Sequence, residues 1–157
     1  MSDIPVTTAV RFLRAQKVDF VPHLYDWEEH GGTAHSAKAL GVSEHQVIKT
    51  LVFENDAKKP LLVLMHGDRE VSTKNLARLL GCKSVVPCSP QNVTRYTGYQ
   101  VGGCSPFGTR QALPVYVESS ILALPQIYIN GGKRGFLVEI SPSVLDALSP
   151  TAVTVGI

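Results

Sequence analysis

The sequence predicts a mixed α/β fold in which a curved, mostly antiparallel sheet or barrel carries helices packed on its outside. The first observation is a pair of strong strand patterns, at residues 47–54 and 61–66, joined across a polar turn. A hairpin of this kind argues against an all-parallel sheet. The second is that strand patterns outnumber helical ones along the chain. The third is that no Gly-x-Gly-x-x-Gly leads from a strand into a helix, so a dinucleotide-binding fold lacks support.

Helices and strands are predicted in turn along the first half of the chain. Asp3 is expected to cap a first helix, and residues 20–25 form a strand that their proline places at a sheet edge. A polar loop follows, and Thr33 is expected to cap a short helix that ends at Gly41. The two strands named above come next.

The second half begins with two capped helices. Ser72 is expected to cap a helix that stops at Gly81, ahead of a short strand at residues 82–86. Ser89 and the proline after it open another helix, which stops at Gly98.

The remaining elements form the end of the chain. A strand is predicted at residues 113–118 and a helical turn at 119–124. A hairpin follows at 127–140, and a last helix starts at Ser141. With no repeat and no low-complexity linker, residues 1–157 are expected to form one domain.

Composition narrows the class of partner. Fifteen Lys and Arg against 13 Asp and Glu give a net charge of +2. This is too weak for coating nucleic acid by bulk electrostatics, but it allows a small site that grips one end of a nucleic acid. The N-terminus lacks a signal-peptide pattern, no apolar run is long enough for a membrane span, and the three cysteines are an odd number. A disulfide framework is therefore not expected, and the cytoplasm is the expected compartment.

Residues 130–135 read Asn-Gly-Gly-Lys-Arg-Gly between two strand patterns and predict a tight turn. Glycine allows positive φ and leaves backbone N–H groups uncovered, and N–H groups beside Lys133 and Arg134 favour an anion, phosphate above all. The alternative is an ordinary hairpin with solvated charges. A second glycine pair, Gly102-Gly103, lies in a Gly- and Pro-rich loop at residues 98–108, where Ser105 can hydrogen-bond a ligand or the loop is simply a turn.

Lys49 lies in a strand that is otherwise apolar apart from its neighbouring threonine. By alternation it shares a face with apolar residues, where an ammonium is costly unless it meets an anion or reaches water. It either binds a phosphate or carboxylate in a pocket, or extends to the rim and pairs with a nearby acid. Tyr25 is either a half-buried aromatic residue or a phenol that lines a pocket.

Other nucleophiles and metal ligands are not favoured. Cys104 is interpreted as a small buried side chain rather than a nucleophile, because no base can be placed beside it. The cysteines and histidines match no zinc spacing, so no metal or cofactor is expected. His23, His45 and His66 are expected at the surface or rim.

Three segments together resemble a known family. Residues 47–52 (Val-Ile-Lys-Thr-Leu-Val), 97–108 (Thr-Gly-Tyr-Gln-Val-Gly-Gly-Cys-Ser-Pro-Phe-Gly) and 127–135 (Ile-Tyr-Ile-Asn-Gly-Gly-Lys-Arg-Gly) occur in that order. The chain closely resembles, over nearly its whole length, the YbaK family of aminoacyl-tRNA deacylases. These are relatives of the editing domain inserted in bacterial prolyl-tRNA synthetases.

The resemblance implies a barrel-like mixed sheet and removal, in trans, of a wrong amino acid from tRNA. In the family's type member, that amino acid is cysteine attached to proline tRNA. The implied catalytic residues are Lys49, near the terminal adenosine and its phosphate, and Gly102 and Gly103, whose backbone faces the ester. The implied substrate-binding residues are Tyr25, Thr97, Ser105, Asn130, Gly131, Gly132, Lys133 and Arg134. The implied partners are the aminoacyl-tRNA 3′ end and, through a weak contact, a prolyl-tRNA synthetase, with no membrane.

An aminoacyl ester is already activated, so a positioned water and N–H donors for the oxyanion suffice for hydrolysis. With a cysteinyl substrate, the substrate's own thiol can instead attack its carbonyl, a lyase-like release. Cysteine-type members often carry an aspartate where this chain has Leu137, so a pocket for another small amino acid stays open. Two other function classes also stay open: a non-catalytic nucleic-acid-binding or regulatory module that uses the same basic loops, and an enzyme acting on another small acyl or nucleotide substrate.

Overall fold

The computed structural model describes residues 4–157, in which eight strands and four α-helices are present. The strands are β1 (Val21–Leu24), β2 (Val47–Asn55), β3 (Pro60–His66), β4 (Val85–Pro87), β5 (Val115–Glu118), β6 (Ile127–Lys133), β7 (Phe136–Ile140) and β8 (Thr151–Val153). The helices are α1 (Thr8–Ala15), α2 (Gly32–Leu40), α3 (Thr73–Leu80) and α4 (Pro90–Thr97), with 3₁₀ turns at Glu44–Gln46, Ser119–Ala123 and Pro142–Leu148.

All eight strands join one mixed sheet in the order β1-β7-β6-β2-β3-β5-β8, with β4 paired to β2. The pairs β1–β7, β6–β7, β2–β3 and β2–β4 are antiparallel. The pairs β2–β6, β3–β5 and β5–β8 are parallel. This confirms the predicted mixed class and the position of β1 at a sheet edge.

Helices cover both faces of the sheet. On one face, α1 and α4 contribute to the largest apolar cluster, which includes Ile48 of β2 and Ile129 of β6. On the other face, α3 packs with Phe53 of β2, and α2 packs with Val47 at the start of the same strand. Because side chains alternate along β2, Val47, Lys49 and Phe53 point to this second face. In the part of the chain described, no helix is both long and apolar enough to cross a bilayer.

The helix ends agree with the sequence wherever a glycine or a serine marks them. Ser72 and Ser89 accept hydrogen bonds at the starts of α3 and α4, and Gly41, Gly81 and Gly98 end their helices in the left-handed conformation.

Two predicted helix starts are wrong or outside the described range. Helix α1 begins at Thr8 with the Thr7 hydroxyl as its cap, whereas the predicted cap Asp3 lies outside the described residues. Helix α2 starts at Gly32, and the Thr33 hydroxyl bonds Glu44 Oε2 and the Gly67 carbonyl instead of capping the helix. Groups that are distant in sequence therefore bind the Thr33 hydroxyl in place of the N–H groups at the start of the helix.

Four differences lie in the second half. The short strand predicted at residues 82–86 is found at Val85–Pro87, and the predicted last helix is a 3₁₀ turn that ends at Leu148. Strand β8 was not predicted, because three residues carry little pattern of their own and their partner β5 is distant in sequence. Gly131 and Gly132 continue β6 with a bulge between Asn130 and Lys133, so the hairpin turn is shorter than predicted.

Candidate active site

Lys49 lies on the β2 face between the residues that α2 and α3 cover. Its side chain is 18% exposed, and its ammonium lies 3.6 Å from Glu70 Oε1. Glu70 is 82% exposed, so water competes strongly with this ion pair. The structure thus contains the ion pair with a nearby acid that was one of the two alternatives for Lys49. Because Glu70 is exposed, an incoming anion can displace it from the ammonium.

Asn130 follows Ile129, whose partner in the parallel β2–β6 ladder is Ile48, the residue before Lys49. Its Oδ1 accepts the N–H groups of Gly132 at 2.6 Å and Lys133 at 3.1 Å. Its Nδ2 donates to the Gly102 carbonyl at 3.2 Å. Asn130 therefore joins the two glycine segments, and it occupies N–H groups that the sequence analysis expected to be uncovered.

The Gly102-Gly103 loop lies directly against the β6–β7 turn. Gly102 has a φ of +88°, and a Cβ on Gly103 would lie 2.7 Å from Arg134 N and 3.0 Å from the Lys133 carbonyl carbon. Gly103 N–H donates to the Gln100 carbonyl at 2.9 Å. The close approach of two backbones explains why glycine is needed here, and Gly103 N–H is engaged within its own loop.

Arg134 links three parts of the site. Its Nε donates to the Val101 carbonyl at 3.0 Å, and its guanidinium lies 4.3 Å from the centre of the Trp27 indole. Trp27 follows β1 in the polar loop before α2 and is 36% exposed. Trp27 is not among the site residues predicted from the sequence, although it is the chain's single tryptophan and follows Tyr25 by two residues in a polar loop.

Tyr25 and Leu137 form the apolar part of the face. Tyr25 N–H donates to the Gly135 carbonyl at 3.0 Å, and its ring packs with Val47 and with Leu137, which is 4% exposed. Burial raises the pKa of the Tyr25 phenol above its ordinary value, although a hydrogen bond with Ser36 opposes the shift. The phenol is therefore protonated at neutral pH and available as a donor.

Two predicted contact residues lie beneath the surface. Thr97 is 1% exposed, and its hydroxyl donates to the Val93 carbonyl and accepts Tyr99 N–H. Ser105 is fully buried, and its hydroxyl accepts Phe107 N–H. The structure therefore does not bring these two hydroxyls to the face that carries Lys49 and Asn130.

Cys104 is 8% exposed, and burial raises the pKa of its thiol to about 11. A thiol that stays protonated at neutral pH is a poor nucleophile. This agrees with the interpretation of Cys104 as a small buried side chain.

His66 is fully buried, so its predicted place at the surface or rim is wrong. Its Nδ1 lies 2.7 Å from the His45 carbonyl oxygen and its Nε2 lies 2.7 Å from Ser120 Oγ. Ligand atoms of His45, His66 and Asp68 lie within 4.8 Å of one another. The two rings nevertheless stack face to face at 3.7 Å and 7°, which does not aim both at one point between them, and His45 Nδ1 bonds Asp68 Oδ1. This geometry is that of a structural hydrogen-bond network and does not fit a metal centre.

The arrangement can bind an anionic planar ligand. Tyr25, Lys133 and Arg134 line one cavity and supply a phenol donor and two cations. Lys49 adds a cation on β2, and the Tyr25–Leu137 contact forms an apolar floor. Such a site suits a nucleotide that carries a small acyl group, with phosphate at the cations and the acyl side chain on the floor.

Comparisons with known proteins identify relatives over most of the chain. Residues 28–148 match the family model of the aminoacyl-tRNA editing domain. A protein of Enterococcus faecalis, provisionally named the Cys-tRNA(Pro)/Cys-tRNA(Cys) deacylase EbsC, is 31% identical over 144 residues, covering 91% of this chain and 88% of that protein. A proline–tRNA ligase of Moorella thermoacetica is 33% identical over 115 residues, which are 73% of this chain and 19% of the ligase.

Solved structures share the whole fold. The crystal structure of a protein provisionally described as a trans-editing enzyme for prolyl tRNA synthetase has a TM-score of 0.83 and 25% identity, covering 99% of both chains. The crystal structure of hypothetical protein APE2540 has a TM-score of 0.86, with 24% identity and coverage of 96% and 99%. The second likeness concerns the fold alone.

Proposed function

The chain belongs to the aminoacyl-tRNA editing domain family, and from this premise we propose that it is a trans-editing deacylase that removes a mischarged small amino acid from tRNA. Cysteine on proline tRNA is the leading substrate. The observation that carries the proposal is the meeting of Lys49, Asn130 and the Gly102-Gly103 loop at one face of the sheet.

The apolar floor supports a small, weakly polar amino acid. Leu137 is 4% exposed and packs with Ala37, Val47 and Tyr25. A thiol or methyl group can be buried against this floor without a partner, whereas a buried hydroxyl or carboxylate needs one. Cysteine and alanine therefore fit better than serine or aspartate.

Lys49 is proposed to hold the charged end of the substrate. When tRNA binds, its anionic group displaces Glu70 from the ammonium, and the gain is larger inside the partly buried site than in water. We assign Gly102, Gly103, Asn130, Gly131, Gly132, Lys133 and Arg134 to the wall that positions the ester, and Tyr25 to a donor beside it. Thr97 and Ser105 are proposed to support this wall from beneath.

Two routes of ester cleavage are compatible with these roles. In hydrolysis, a water attacks the carbonyl carbon, the 3′-oxygen of the ribose leaves, and the free amino acid is released. In the substrate-assisted route, the thiol of the bound cysteine attacks its own carbonyl, the ribose oxygen leaves with the proton, and water opens the cyclic product. Both routes rely on positioning rather than on a side-chain nucleophile.

The test is deacylation of proline tRNA charged with cysteine, alanine or serine by the purified chain. We expect release of cysteine well above the spontaneous rate and little release of serine. Release of alanine at a similar rate favours hydrolysis, because alanine has no thiol. Correctly charged prolyl-tRNA is the control. Binding of these tRNAs without release would overturn the enzyme proposal in favour of a binding module.

An association with prolyl-tRNA synthetase is proposed on the likeness to the ligase segment. A trans-editing protein must reach mischarged tRNA soon after the synthetase releases it. Co-sedimentation of the chain with prolyl-tRNA synthetase, with and without tRNA, tests the contact. Sedimentation of the two proteins as separate species under both conditions would contradict it.

A further inference from the structure

Trp27 and Arg134 contact each other beside the two glycine segments of the candidate site. The guanidinium lies 4.3 Å from the centre of the indole, and the Arg134 Nε is held by the Val101 carbonyl at 3.0 Å. A tryptophan ring with a cation on it remains 36% exposed. An exposed aromatic ring held by an arginine is an ordinary surface for stacking planar groups.

The surrounding backbone is shaped around this indole. A Cβ on Gly102 would lie 3.2 Å from Trp27 Nε1, and one on Gly135 would lie 3.6 Å from Trp27 Cβ. Gly102 and Gly135 also have positive φ values of +88° and +79°. Trp27 therefore lies beside both glycine segments: Gly102 approaches its ring, and Gly135 approaches its Cβ and backbone.

The loop that carries Trp27 is also held in place. His35 Nε2 lies 2.6 Å from the Asp26 carbonyl oxygen, and His35 Nδ1 lies 3.5 Å from Glu28 Oε2. The first contact ties the residue before Trp27 to α2, and the second places the residue after Trp27 beside the same ring. A ring whose neighbours are already ordered loses little conformational freedom when a ligand stacks on it.

We propose that Trp27 and Arg134 form a nucleobase-stacking platform that receives the base of the 3′-terminal nucleotide. This rests on the proposed function, because the tRNA end is the substrate of the same site. Lys133 precedes Arg134 in the turn and supplies a further cation for the adjoining phosphate. Unpaired RNA bases stack readily on aromatic rings and on guanidinium planes, which is the chemistry that the platform offers.

Trp27 is the chain's single tryptophan, so its fluorescence reports directly on this surface. The probes are an RNA trinucleotide CCA and the same trinucleotide with an abasic 3′ residue. We expect CCA to quench the emission and to bind roughly tenfold or more tightly than the abasic probe, since one base–aromatic stack is worth about that much. Equal binding and equal quenching by the two probes would overturn the proposal.

Variants separate stacking from folding. In anisotropy titrations with labelled probes, Trp27→Phe should keep most of the preference for CCA over the abasic probe, and Trp27→Ala should lose it. Arg134→Lys keeps the charge but not the planar group, so it should reduce the preference. Arg14→Gln, at an exposed arginine on α1 and so on the opposite sheet face, is the matched control. If Trp27→Ala folds and keeps the full preference, the platform is wrong.

The outcome is independent of the proposed deacylation. A preference for CCA that depends on Trp27, found in a chain that releases no amino acid, would support the platform and refute the enzyme. Deacylation together with equal affinity for CCA and the abasic probe would refute the platform and leave the enzyme.

Discussion

At the scale of single residues, the contacts of Lys49, Asn130 and Cys104 indicate a different role for each side chain in the candidate site. Lys49 is mostly buried, and its ion-pair partner among the described residues is a well-exposed glutamate. Asn130 uses both ends of its amide to hold two glycine segments together. Cys104 is buried within the loop that carries the glycine pair. The first two are the residues that we propose to contact the substrate, whereas the third contributes to packing.

Replacement of Lys49 by methionine should lower kcat/KM for mischarged tRNA by about 10- to 100-fold, the usual worth of a hydrogen bond to a charged group. The measurement is single-turnover deacylation, with circular dichroism as the check of folding. Glu70→Gln is the matched control, because it removes the partner of Lys49 and leaves the ammonium in place. An unchanged rate in Lys49→Met would remove Lys49 from the site.

Replacement of Cys104 by alanine should leave deacylation within about twofold, because the buried thiol stays protonated and takes no part in attack. Some loss of thermal stability is expected from the lost packing. Rate and melting temperature are measured on the same preparation. Abolished activity in a variant that still melts cooperatively would point to a thiol nucleophile instead.

At the scale of elements, the site depends on where strands and loops come together. The β6–β7 turn and the Gly102-Gly103 loop meet backbone to backbone, and the loop before α2 closes over both through Trp27. Elsewhere, the stacked His45 and His66 rings tie the end of β3 to the 3₁₀ turn before β2. These contacts join segments that are far apart in sequence.

Gly103→Ala should separate the two loops, because its Cβ would lie 2.7 Å from Arg134 N. We expect at least a tenfold loss of deacylation. Gly81→Ala is the control: its φ is +69° and nothing lies within 4 Å of its Cβ, so it shows backbone strain alone, about 1 kcal/mol. Both are compared by denaturant unfolding and by activity. Wild-type activity in Gly103→Ala would show that the loops can separate without harm.

The buried His66 should make stability fall as the pH decreases. Burial lowers the pKa of His66 below its ordinary value of 6.5, so the unfolded state takes up a proton first. The contribution of neutral His66 to the free energy of unfolding is fully present above pH 6.5. It is lost as the pH falls from 6.5 to the lower pKa that His66 has in the folded state. Urea unfolding between pH 8 and pH 5 measures it. His66→Gln should flatten the decline in this window, whereas an identical decline in both proteins would assign it to other groups.

At the scale of the whole molecule, the chain pairs a nearly neutral surface with one local group of cations. Its net charge is only +2, and Lys49, Lys133 and Arg134 are the cations that we propose for the substrate site. A molecule of this kind is expected to bind one end of an RNA rather than its length. The open sheet, covered by helices on both faces, holds the site between α2, β2 and the two glycine segments.

Binding of a single-stranded RNA of about twelve nucleotides that ends in CCA should therefore depend only modestly on salt. With about three phosphate contacts, the logarithm of the association constant should fall against the logarithm of salt concentration with a slope of about −2. Titrations between 50 and 300 mM salt, roughly the range over which such slopes are resolved, provide the measurement. A slope of about −6 or steeper would indicate a broad basic surface instead.

Much of the fold and part of the site could be predicted from the sequence. The ends of α3 and α4 are predictable because a serine hydroxyl caps the start of each helix and a left-handed glycine ends it, and both effects involve neighbouring residues only. Alternation in β2 places Lys49 on a covered face, and the glycine segments are visible as motifs. Strand β8 and the buried position of His66 could not be predicted, because their partners lie far away in sequence.

By itself, the sequence determined the mixed class, the sheet-edge position of β1 and the segments from which the site is built, because propensity, capping and alternation are local properties. Only the tertiary structure decided that Asn130 occupies the glycine N–H groups, that Thr97 and Ser105 lie beneath the surface, and that Trp27 stacks on Arg134. Each of these depends on contacts between segments that meet only when β6, β7 and the loops around them are folded together.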